Sequence, residues 1–352
     1  MDVLSDTLRV VRLSGAVFLR AKLAAPWAVE SATPDELAEY LRLPSDCIAV
    51  FHIVTRGRCW LSLADLPPIL LTSGDAMLIP QNAPHVLGSD RSTPPVPFRS
   101  VLPPLPAGGM VEIEGPGLGE TAQFVCGYLH CDQRFNPLIG ALPDLIVVRP
   151  GGDGHADHHH EAGASRGRAR ASSAVVQTQP GDWLETTLRH TVEEAYGERP
   201  GISDMLARLS EILFVEVVRR YMQQLPMTQQ GWLAGVSDPI VGQALRLLHA
   251  RPEHAWTVED LAHAVVVSRS TLAQRFTTLI GETPMRYLAV WRIQRAKYLL
   301  KQTNLNLVEV SERVGYESVA AFNRAFKRHV GQPPATWRIA TDAPQLAAVS
   351  NG

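Results

Sequence analysis

The sequence lacks long hydrophobic runs and the marks of a secreted or membrane protein. None of its 352 residues lie in an apolar stretch of about 18 or more, and the N-terminus has no basic, apolar, small-residue leader. Four scattered cysteines, at positions 47, 59, 126 and 131, form no Cys-x-x-Cys pair. These absences exclude a disulfide scaffold and a cysteine-based zinc site. We therefore expect a cytoplasmic protein with no membrane partner.

Charged residues are also scarce, and they are unevenly distributed. They make up 19% of the chain against 45% hydrophobic residues, and the net charge is -2. Residues 238–338 nevertheless carry 14 Lys and Arg against 8 Asp and Glu, which leaves the rest of the chain acidic. This composition excludes a disordered or fibrous chain and indicates two or three globular domains. The C-terminal one is basic enough to attract an anionic polymer.

The same helix-turn-helix pattern occurs twice in this basic region, at residues 261–284 and, one residue longer at its turn, 310–334. Each copy has a short apolar-periodic helix, a turn closed by Ser, and a second helix followed by Gly and Pro. The matched positions are Ser268 and Ser318, Phe276 and Phe326, Gly281 and Gly331, and Pro284 and Pro334. Such a unit lays an exposed helix in the major groove of DNA. Two copies therefore predict a double DNA-binding domain.

Helical periodicity predicts which side chains face outward. A capping box of Thr257 and Asp260 should start the first copy. The inward residues are Leu272, Phe276 and Leu279 in the first reading helix, and Phe322 and Phe326 in the second. The outward residues, predicted to contact DNA, are Arg269, Ser270, Ala273, Gln274, Val319, Ala321, Asn323, Arg324, Lys327 and Arg328. In the connecting helix, residues 285–303, the side chains available to contact DNA phosphates would be Arg292, Arg295 and Lys297. Arg can pair with guanine and Asn with adenine, but each position could instead contact phosphate or solvent.

Residues 1–150 have the pattern of a β-rich domain. Strand-like runs such as CIAVFHIVTRG and AQFVCGYLHCD alternate with Pro and Gly turns, which predicts a small barrel or double sheet. The stretch GDAMLIPQNAPH, from Gly74 through Pro80 to His85, resembles the second motif of the cupin barrel, whose His can bind a metal. The first-motif region supplies only His52, without a His-x-His pair or Glu. We therefore predict no metal, cofactor or enzymatic activity. A metal-dependent cupin enzyme fused to a DNA-binding module is the alternative.

A linker and two helices separate these regions. Residues 151–180 lack periodicity and indicate a flexible loop, whose His-rich stretch 155–159 has nothing to fix a metal geometry. Asp182 can cap a helix, and residues 203–225 form a second helix that is apolar beyond one stripe. We expect this 181–230 segment to pack on the sheet domain, to form a homodimer, or to do both.

Residues 238–338 resemble the DNA-binding domain of AraC/XylS-type transcriptional regulators. The resemblance is carried by GYES (315–318) and FNRAFKRHVGQPPATWR (322–338), and the first 225 residues resemble the cupin-type regulatory domain of one branch. It implies an α+β chain: an N-terminal cupin-like β-barrel with a helical segment, then an all-α double helix-turn-helix domain and a tail at 339–352. It also implies a promoter-binding regulator whose partners are double-stranded DNA and RNA polymerase. One departure is Gln274, where the family often has Arg.

Two hypotheses remain for what the N-terminal domain senses. The resemblance implies a small-molecule effector whose binding changes how the DNA-binding half is presented. The alternative is a thiol switch, because Arg56 and Arg58 would lower the pKa of Cys59. Buried, reduced, structural cysteines are the plain interpretation, since strand alternation separates Cys126 and Cys131 on opposite faces. The candidate sensing residues are His52, His85, Cys59, Cys126, His130 and Cys131.

Overall fold

The computed structural model describes residues 2–11, 13–43, 48–63, 65–104, 110–115, 117–131, 137–151, 172–197, 199–226 and 230–339. Cys47, residues 152–171 of the predicted linker and the tail beyond Ile339 lie outside them. The chain forms two compact units. One is Arg12–Gln224, and the other combines Met1–Val11 with Leu225–Gly352.

All strands of the described residues lie before residue 180, together with four of the helices, and only helices follow that residue. The strands are β1 (Leu13–Ala24), β2 (Ala28–Glu30), β3 (Ile48–Arg56), β4 (Arg58–Leu63), β5 (Ile69–Thr72), β6 (Ala76–Ile79), β7 (His85–Gly88), β8 (Val96–Pro97), β9 (Val111–Glu114), β10 (Thr121–Cys131), β11 (Leu145–Arg149) and β12 (Ser173–Gln177). The helices are α1 (Val3–Val11), α2 (Pro34–Leu41), α3 (Phe98–Val101), α4 (Pro137–Gly140), α5 (Trp183–Ala195), α6 (Ile202–Gln224), α7 (Trp232–Ser237), α8 (Val241–Ala250), α9 (Val258–Ala264), α10 (Arg269–Ile280), α11 (Pro284–Gln302), α12 (Leu307–Arg313) and α13 (Val319–Val330).

The strands form two sheets. Seven strands lie in the order β12-β11-β6-β3-β10-β1-β9 and five in the order β5-β4-β7-β2-β8. Side chains of both sheets, such as Leu19 and Phe124 from one and Leu61 and Leu71 from the other, meet in one hydrophobic core. The α+β class is thus confirmed. The sheets take the double-sheet form rather than a closed barrel, because in the described residues no strand ladder joins the two.

Strand β10 is buried on both faces, which explains its nearly continuous apolar sequence. Phe124 and Cys126 face the core between the sheets. Val125, on the opposite face, packs against Ala195 and Leu206 of the two helices that cover the sheet.

Helix α6 comes unusually close to the sheet at Gly15. A Cβ at Gly15 would lie 2.9 Å from the Cβ of Ser210 on α6. Any larger residue at this position would therefore push the helix away from β1. Two apolar side chains of α6, Met205 and Ile212, point away from this contact and are 51% and 43% exposed.

The second unit is entirely helical in its described residues. Helix α11 joins the two helix-turn-helix copies, α9–α10 and α12–α13. Helix α1 belongs to this unit although it lies at the other end of the chain: Val3, Thr7 and Val10 are buried, and the helix contacts α8 and α11. Among the described residues, none of the helices has the length and apolar character needed to span a membrane.

Candidate DNA interface and regulatory cavity

The first helix-turn-helix copy is built as its sequence predicts. The Thr257–Asp260 capping box starts α9, and the Ser268 hydroxyl accepts a hydrogen bond from the backbone N–H of Thr271 (3.1 Å) at the start of α10. Phe276 of α10 is fully buried and packs edge-on to Tyr287, at 5.8 Å between ring centroids. These caps and contacts fix where the reading helix begins and how it is rotated.

The second copy repeats this construction. Ser318 accepts from the backbone N–H of Ala321 (3.2 Å), and Phe322 and Phe326 are buried in its core. A second capping box, Asn306 with Glu309, starts α12. Sequence reasoning missed it, although the Asn-x-x-Glu spacing is the expected signal.

The predicted contact residues differ in exposure. The exposed ones are Arg269, Ser270, Gln274, Arg324, Lys327 and Arg328, and the half-buried ones are Ala273, Arg295, Val319, Ala321 and Asn323. The side-chain oxygen of Asn323 is buried and has no hydrogen-bond partner among the described residues. Asn323 thus lies at the flank of α13, while Arg324 lies on its outer face.

The sequences of the two reading helices align with an offset of 50 residues, because α10 starts at Arg269 and α13 at Val319. This register pairs Ser270 with Ala320, Gln274 with Arg324, Thr277 with Lys327, and Thr278 with Arg328. Ala320, Thr277 and Thr278 are all exposed. They complete the two outer faces and were missed by sequence reasoning, although the repeat offset itself points to them.

Three cations of the connecting helix α11 make contacts within the unit, and Arg292 among them is held by backbone carbonyls. Arg292 donates to the backbone carbonyls of Pro252 (2.7 Å) and His254 (2.9 Å), which ties α11 to the segment before α9. Arg295 lies over the ring of Tyr298, at 5.5 Å, and Lys297 lies over Trp337, at 5.6 Å. The expectation that Arg292 is available to phosphate is therefore wrong, because its guanidinium is occupied by carbonyl oxygens.

An ion pair holds helix α10 to Asp238, in the turn between α7 and α8. Arg275 donates from Nε (3.0 Å) and Nη2 (2.6 Å) to Asp238, whose carboxylate also accepts from the backbone N–H of Val241 (2.9 Å). Burial raises the pKa of Asp238, but the hydrogen bonds from Arg275 and the backbone outweigh it and hold this pKa below its usual value. The pair orients the reading helix.

The Arg12–Gln224 unit contains a cavity of about 80 Å³ between its sheets. Its walls are mainly aliphatic and aromatic, and its polar side chains gather at one region that includes three of the predicted sensing residues. The polar lining residues are Ser31, His52, Asn82, His85 and Cys126, together with Trp27. His130 and Cys131, also predicted as sensing residues, are buried in β10 but do not line this cavity.

Three of these residues form a hydrogen-bonded chain. Nδ1 of His85 lies 2.8 Å from the carbonyl oxygen of Ala83, so it must carry the proton. Nε2 of His85 then accepts from Nε2–H of His52 (3.4 Å), and Nδ1 of His52 accepts from the thiol of Cys126 (2.8 Å). Burial lowers the pKa of His52 to about 3, with a smaller contribution from His85. Burial likewise lowers that of His85 to about 4, so both rings are neutral near pH 7.

The cysteines do not have the environment of reactive thiols. Burial raises the pKa of Cys59 to about 12, and burial also raises that of Cys126. The expectation that Arg56 and Arg58 lower the pKa of Cys59 is wrong, because Cys59 faces the core while Arg58 pairs with Glu120 outside. Cys59, Cys126 and Cys131 are buried and unbridged.

The residues present do not fit a cupin metal site. Within the described residues, no group of three His, Cys, Asp or Glu is placed to hold a metal ion. Cys126 and His85 approach opposite nitrogens of the His52 ring, so these donors diverge instead of converging on one point.

Comparisons with known proteins agree with this architecture. A family model described as Cupin matches residues 2–171 and 171–223, and one described as Helix-turn-helix domain matches residues 261–340. A putative AraC-like transcription regulator of Streptomyces lividans is 31% identical over 341 residues, covering 96% of this chain and 98% of its own. The HTH-type transcriptional regulator AlkR of Acinetobacter baylyi is 30% identical over 340 residues, covering 96% and 99%.

Solved structures also match part of the chain. The crystal structure of the DNA-binding domain of AdpA in complex with a target DNA is 33% identical, covers 30% of this chain and 96% of that one, and has a TM-score of 0.29. The full-length relatives confirm the resemblance carried by the sequence motifs. The chain belongs to the AraC-type transcriptional regulators that carry an N-terminal cupin domain.

Proposed function

We propose that this regulator binds double-stranded promoter DNA with the outer faces of α10 and α13, under the control of a small molecule bound in the cavity. The observation that carries the DNA part is the pair of capped helices with matching exposed faces. The proposed contacts are Arg269, Ser270, Ala273, Gln274, Arg295, Val319, Ala321, Asn323, Arg324, Lys327 and Arg328, to which the structure adds Thr277, Thr278 and Ala320.

Arg324 is the contact to test first, because it lies at the centre of the exposed face of α13. If it reads a base, Arg324→Ala costs about 1–3 kcal/mol of binding free energy and relaxes the preference at one operator position. Operator binding should be measured with full-length protein and a set of single-base operator variants. Arg313→Ala on α12 is the matched control, because Arg313 is exposed but lies outside both reading helices. An equal loss on every sequence would make Arg324 a phosphate contact.

The mainly apolar cavity between the sheets supports control by a small molecule. A ligand shifts an equilibrium only through its different affinity for two states, so a bound effector must change the operator affinity measured with purified protein. The thiol switch is the weaker candidate, since burial disfavours the thiolate of Cys59 and Cys126. We propose no enzymatic activity, because the near full-length relatives are transcriptional regulators.

We propose that the protein is a cytoplasmic homodimer that also contacts RNA polymerase. The dimer contact would use the apolar residues of α6 that its own sheet leaves uncovered, Met205 and Ile212. Sedimentation of Ile212→Lys tests this: the variant should be monomeric where the natural protein is dimeric. Arg189→Glu, a charge reversal at an exposed position of the other helix, α5, serves as the control.

A further inference from the structure

The described residues that line the cavity include no charged side chain that could pair with an ionic ligand. They are apolar residues plus a few neutral polar ones, without Asp, Glu, Lys or Arg. The two histidines are also neutral, since their pKa values are lowered far below 7. A carboxylate, phosphate or ammonium group would lose its hydration here without gaining a partner.

The hydrogen-bond donors of the histidines are already used within the protein. Cys126 donates to His52, His52 donates to His85, and His85 donates to the carbonyl of Ala83. Asn82 donates from Nδ2 to the carbonyl of Ala32 (3.3 Å). A ligand rich in hydroxyl groups, such as a sugar, would find few partners at these walls, and each buried unpaired hydroxyl is costly.

Among the described lining residues, one buried polar atom has no hydrogen-bond partner at all. Trp27 lines the cavity, is only 8% exposed and packs edge-on against Phe124, at 5.6 Å between ring centroids. Its indole Nε1 is buried without a hydrogen-bond partner among the described residues. Because an indole N–H can only donate, the group that would satisfy it must be an acceptor.

We infer that the cavity binds a neutral, hydrocarbon-rich molecule carrying an oxygen acceptor, such as a ketone or an ester, whose oxygen accepts from Nε1 of Trp27. The hydrocarbon part lies against aliphatic side chains that include Leu19, Leu23 and Leu87. This inference rests on the proposed small-molecule control of the regulator, and it names the chemical class of the effector.

The test uses four seven-carbon probes with the full-length protein at pH 7.5: 2-heptanone, heptane, heptanoate and heptylamine. Calorimetry suits the soluble probes and headspace partition suits heptane. We expect one site per chain for 2-heptanone, and at least about ten-fold weaker binding of heptanoate and of heptylamine, which is protonated at this pH. This ranking needs no variant, so it stands whether or not a substituted protein folds.

A variant then isolates the proposed hydrogen bond. Trp27→Phe keeps an aromatic ring next to Phe124 but removes the N–H. It should weaken the binding of 2-heptanone about five-fold, the net effect of one lost hydrogen bond, and leave the binding of heptane unchanged. Trp60→Phe, on β4 and absent from the cavity lining, is the matched control and should change neither affinity.

Binding of heptanoate or heptylamine as tight as that of 2-heptanone, or no binding of 2-heptanone at all, would overturn the inference. If Trp27→Phe weakened the binding of 2-heptanone and of heptane equally, Trp27 would not be the hydrogen-bond donor to the ligand. Operator affinity measured in the same samples tests the proposed function separately. If 2-heptanone binds as expected but operator affinity is unchanged, the ligand class stands and control by this ligand fails.

Discussion

Val266, in the turn of the first helix-turn-helix copy, has a left-handed backbone conformation that is unusual for a β-branched residue. Its φ is 58°, and its side chain is 88% exposed, so no packing compensates for the strain. The second copy has Gly315 at the corresponding place, two residues after the end of its first helix, with φ of 83°. There a Cβ would lie 2.7 Å from the Cα of Glu253, so only glycine fits.

Val266→Gly should therefore stabilise the protein. Left-handed backbone costs an L-residue about 1–2 kcal/mol, which glycine avoids. The greater conformational freedom of glycine in the unfolded chain offsets part of this gain in stability. We expect a net gain of about 0.5–1 kcal/mol in the free energy of unfolding, measured by urea denaturation of the full chain. Val308→Gly, at an exposed helical valine, is the control and should lose a similar amount. Destabilisation by both changes would show that Val266 is not strained.

The buried histidines give the protein a definite pH dependence. The pKa values of His52 and His249 are lowered by burial to about 3 and that of His85 to about 4. In the unfolded chain these groups titrate near their ordinary value of about 6.5, so acid protonates the unfolded state first. Their contribution to stability is complete above about pH 6.5 and falls as the pH drops towards the folded values.

We expect urea midpoints to fall steadily between pH 7 and pH 5, with each buried histidine contributing up to about 1.4 kcal/mol per pH unit. His85→Asn should flatten this slope whatever its effect at neutral pH. His190→Asn, at an exposed position of α5, should leave the slope unchanged. A slope that is the same in all three proteins would mean that His85 is not buried in its neutral form.

At the scale of elements, the two reading helices share one construction but differ in charge. The exposed face of α13 carries Lys327 and Arg328, and α10 has Thr277 and Thr278 in the same places. Each neutralised phosphate releases counterions, so affinity should depend on salt mainly through α13. The hydroxyl and amide groups of α10 can discriminate bases without adding to this dependence.

Replacing Lys327 and Arg328 by Gln should reduce the slope of log affinity against log salt by about 1 per residue. The double change Thr277→Ala with Thr278→Ala should leave the slope unchanged and alter the preference among operator variants. Both are measured with full-length protein between 50 and 200 mM salt, a range over which about six phosphate contacts would change affinity by about 10³ or more. Equal slopes in all three proteins would contradict the unequal division of phosphate contacts.

Local signals predicted the helical half of the chain well. Caps such as Thr257 with Asp260 and inward aromatics such as Phe276 depend on residues three or four positions apart, which the sequence shows directly. The exposed faces were predicted less well. Val319 was predicted to face outward and Ala320 was not, although Ala320 is the more exposed of the two. The outward direction depends on which side of the helix packs against the rest of the unit, and only the structure shows that side.

Features built from distant segments could not be predicted in the same way. The cavity brings together Trp27, His52, His85 and Cys126 from four different places in the chain, and the direction of each side chain depends on strand register. The pattern around Cys59 was misleading for the same reason: Arg56 and Arg58 are neighbours in sequence, but strand alternation turns Arg58 away from the thiol.

At the scale of the whole molecule, the first helix of the chain belongs to the same unit as the C-terminal part of the sequence. Helix α1 precedes the sheet unit in sequence but belongs to the DNA-binding unit, where Val3, Thr7 and Val10 are buried. Its Thr7 hydroxyl donates to the carbonyl of Val3 (2.8 Å), so this buried polar group is satisfied. The DNA-binding unit is thus completed by residues more than 200 positions away from the rest of it.

This arrangement predicts that changes in α1 weaken the DNA-binding unit. Leu4 is 9% exposed, and Leu4→Ala should cost about 2 kcal/mol, at the lower end for a buried leucine. Hydrogen exchange of full-length protein should show the loss in α8 and α11, which contact α1. Arg9→Ala, at a more exposed position of the same helix, should cost less than about 0.5 kcal/mol because surface ion pairs contribute little. Unchanged protection in α8 and α11 after Leu4→Ala would mean that α1 contributes no stability to the unit that it completes.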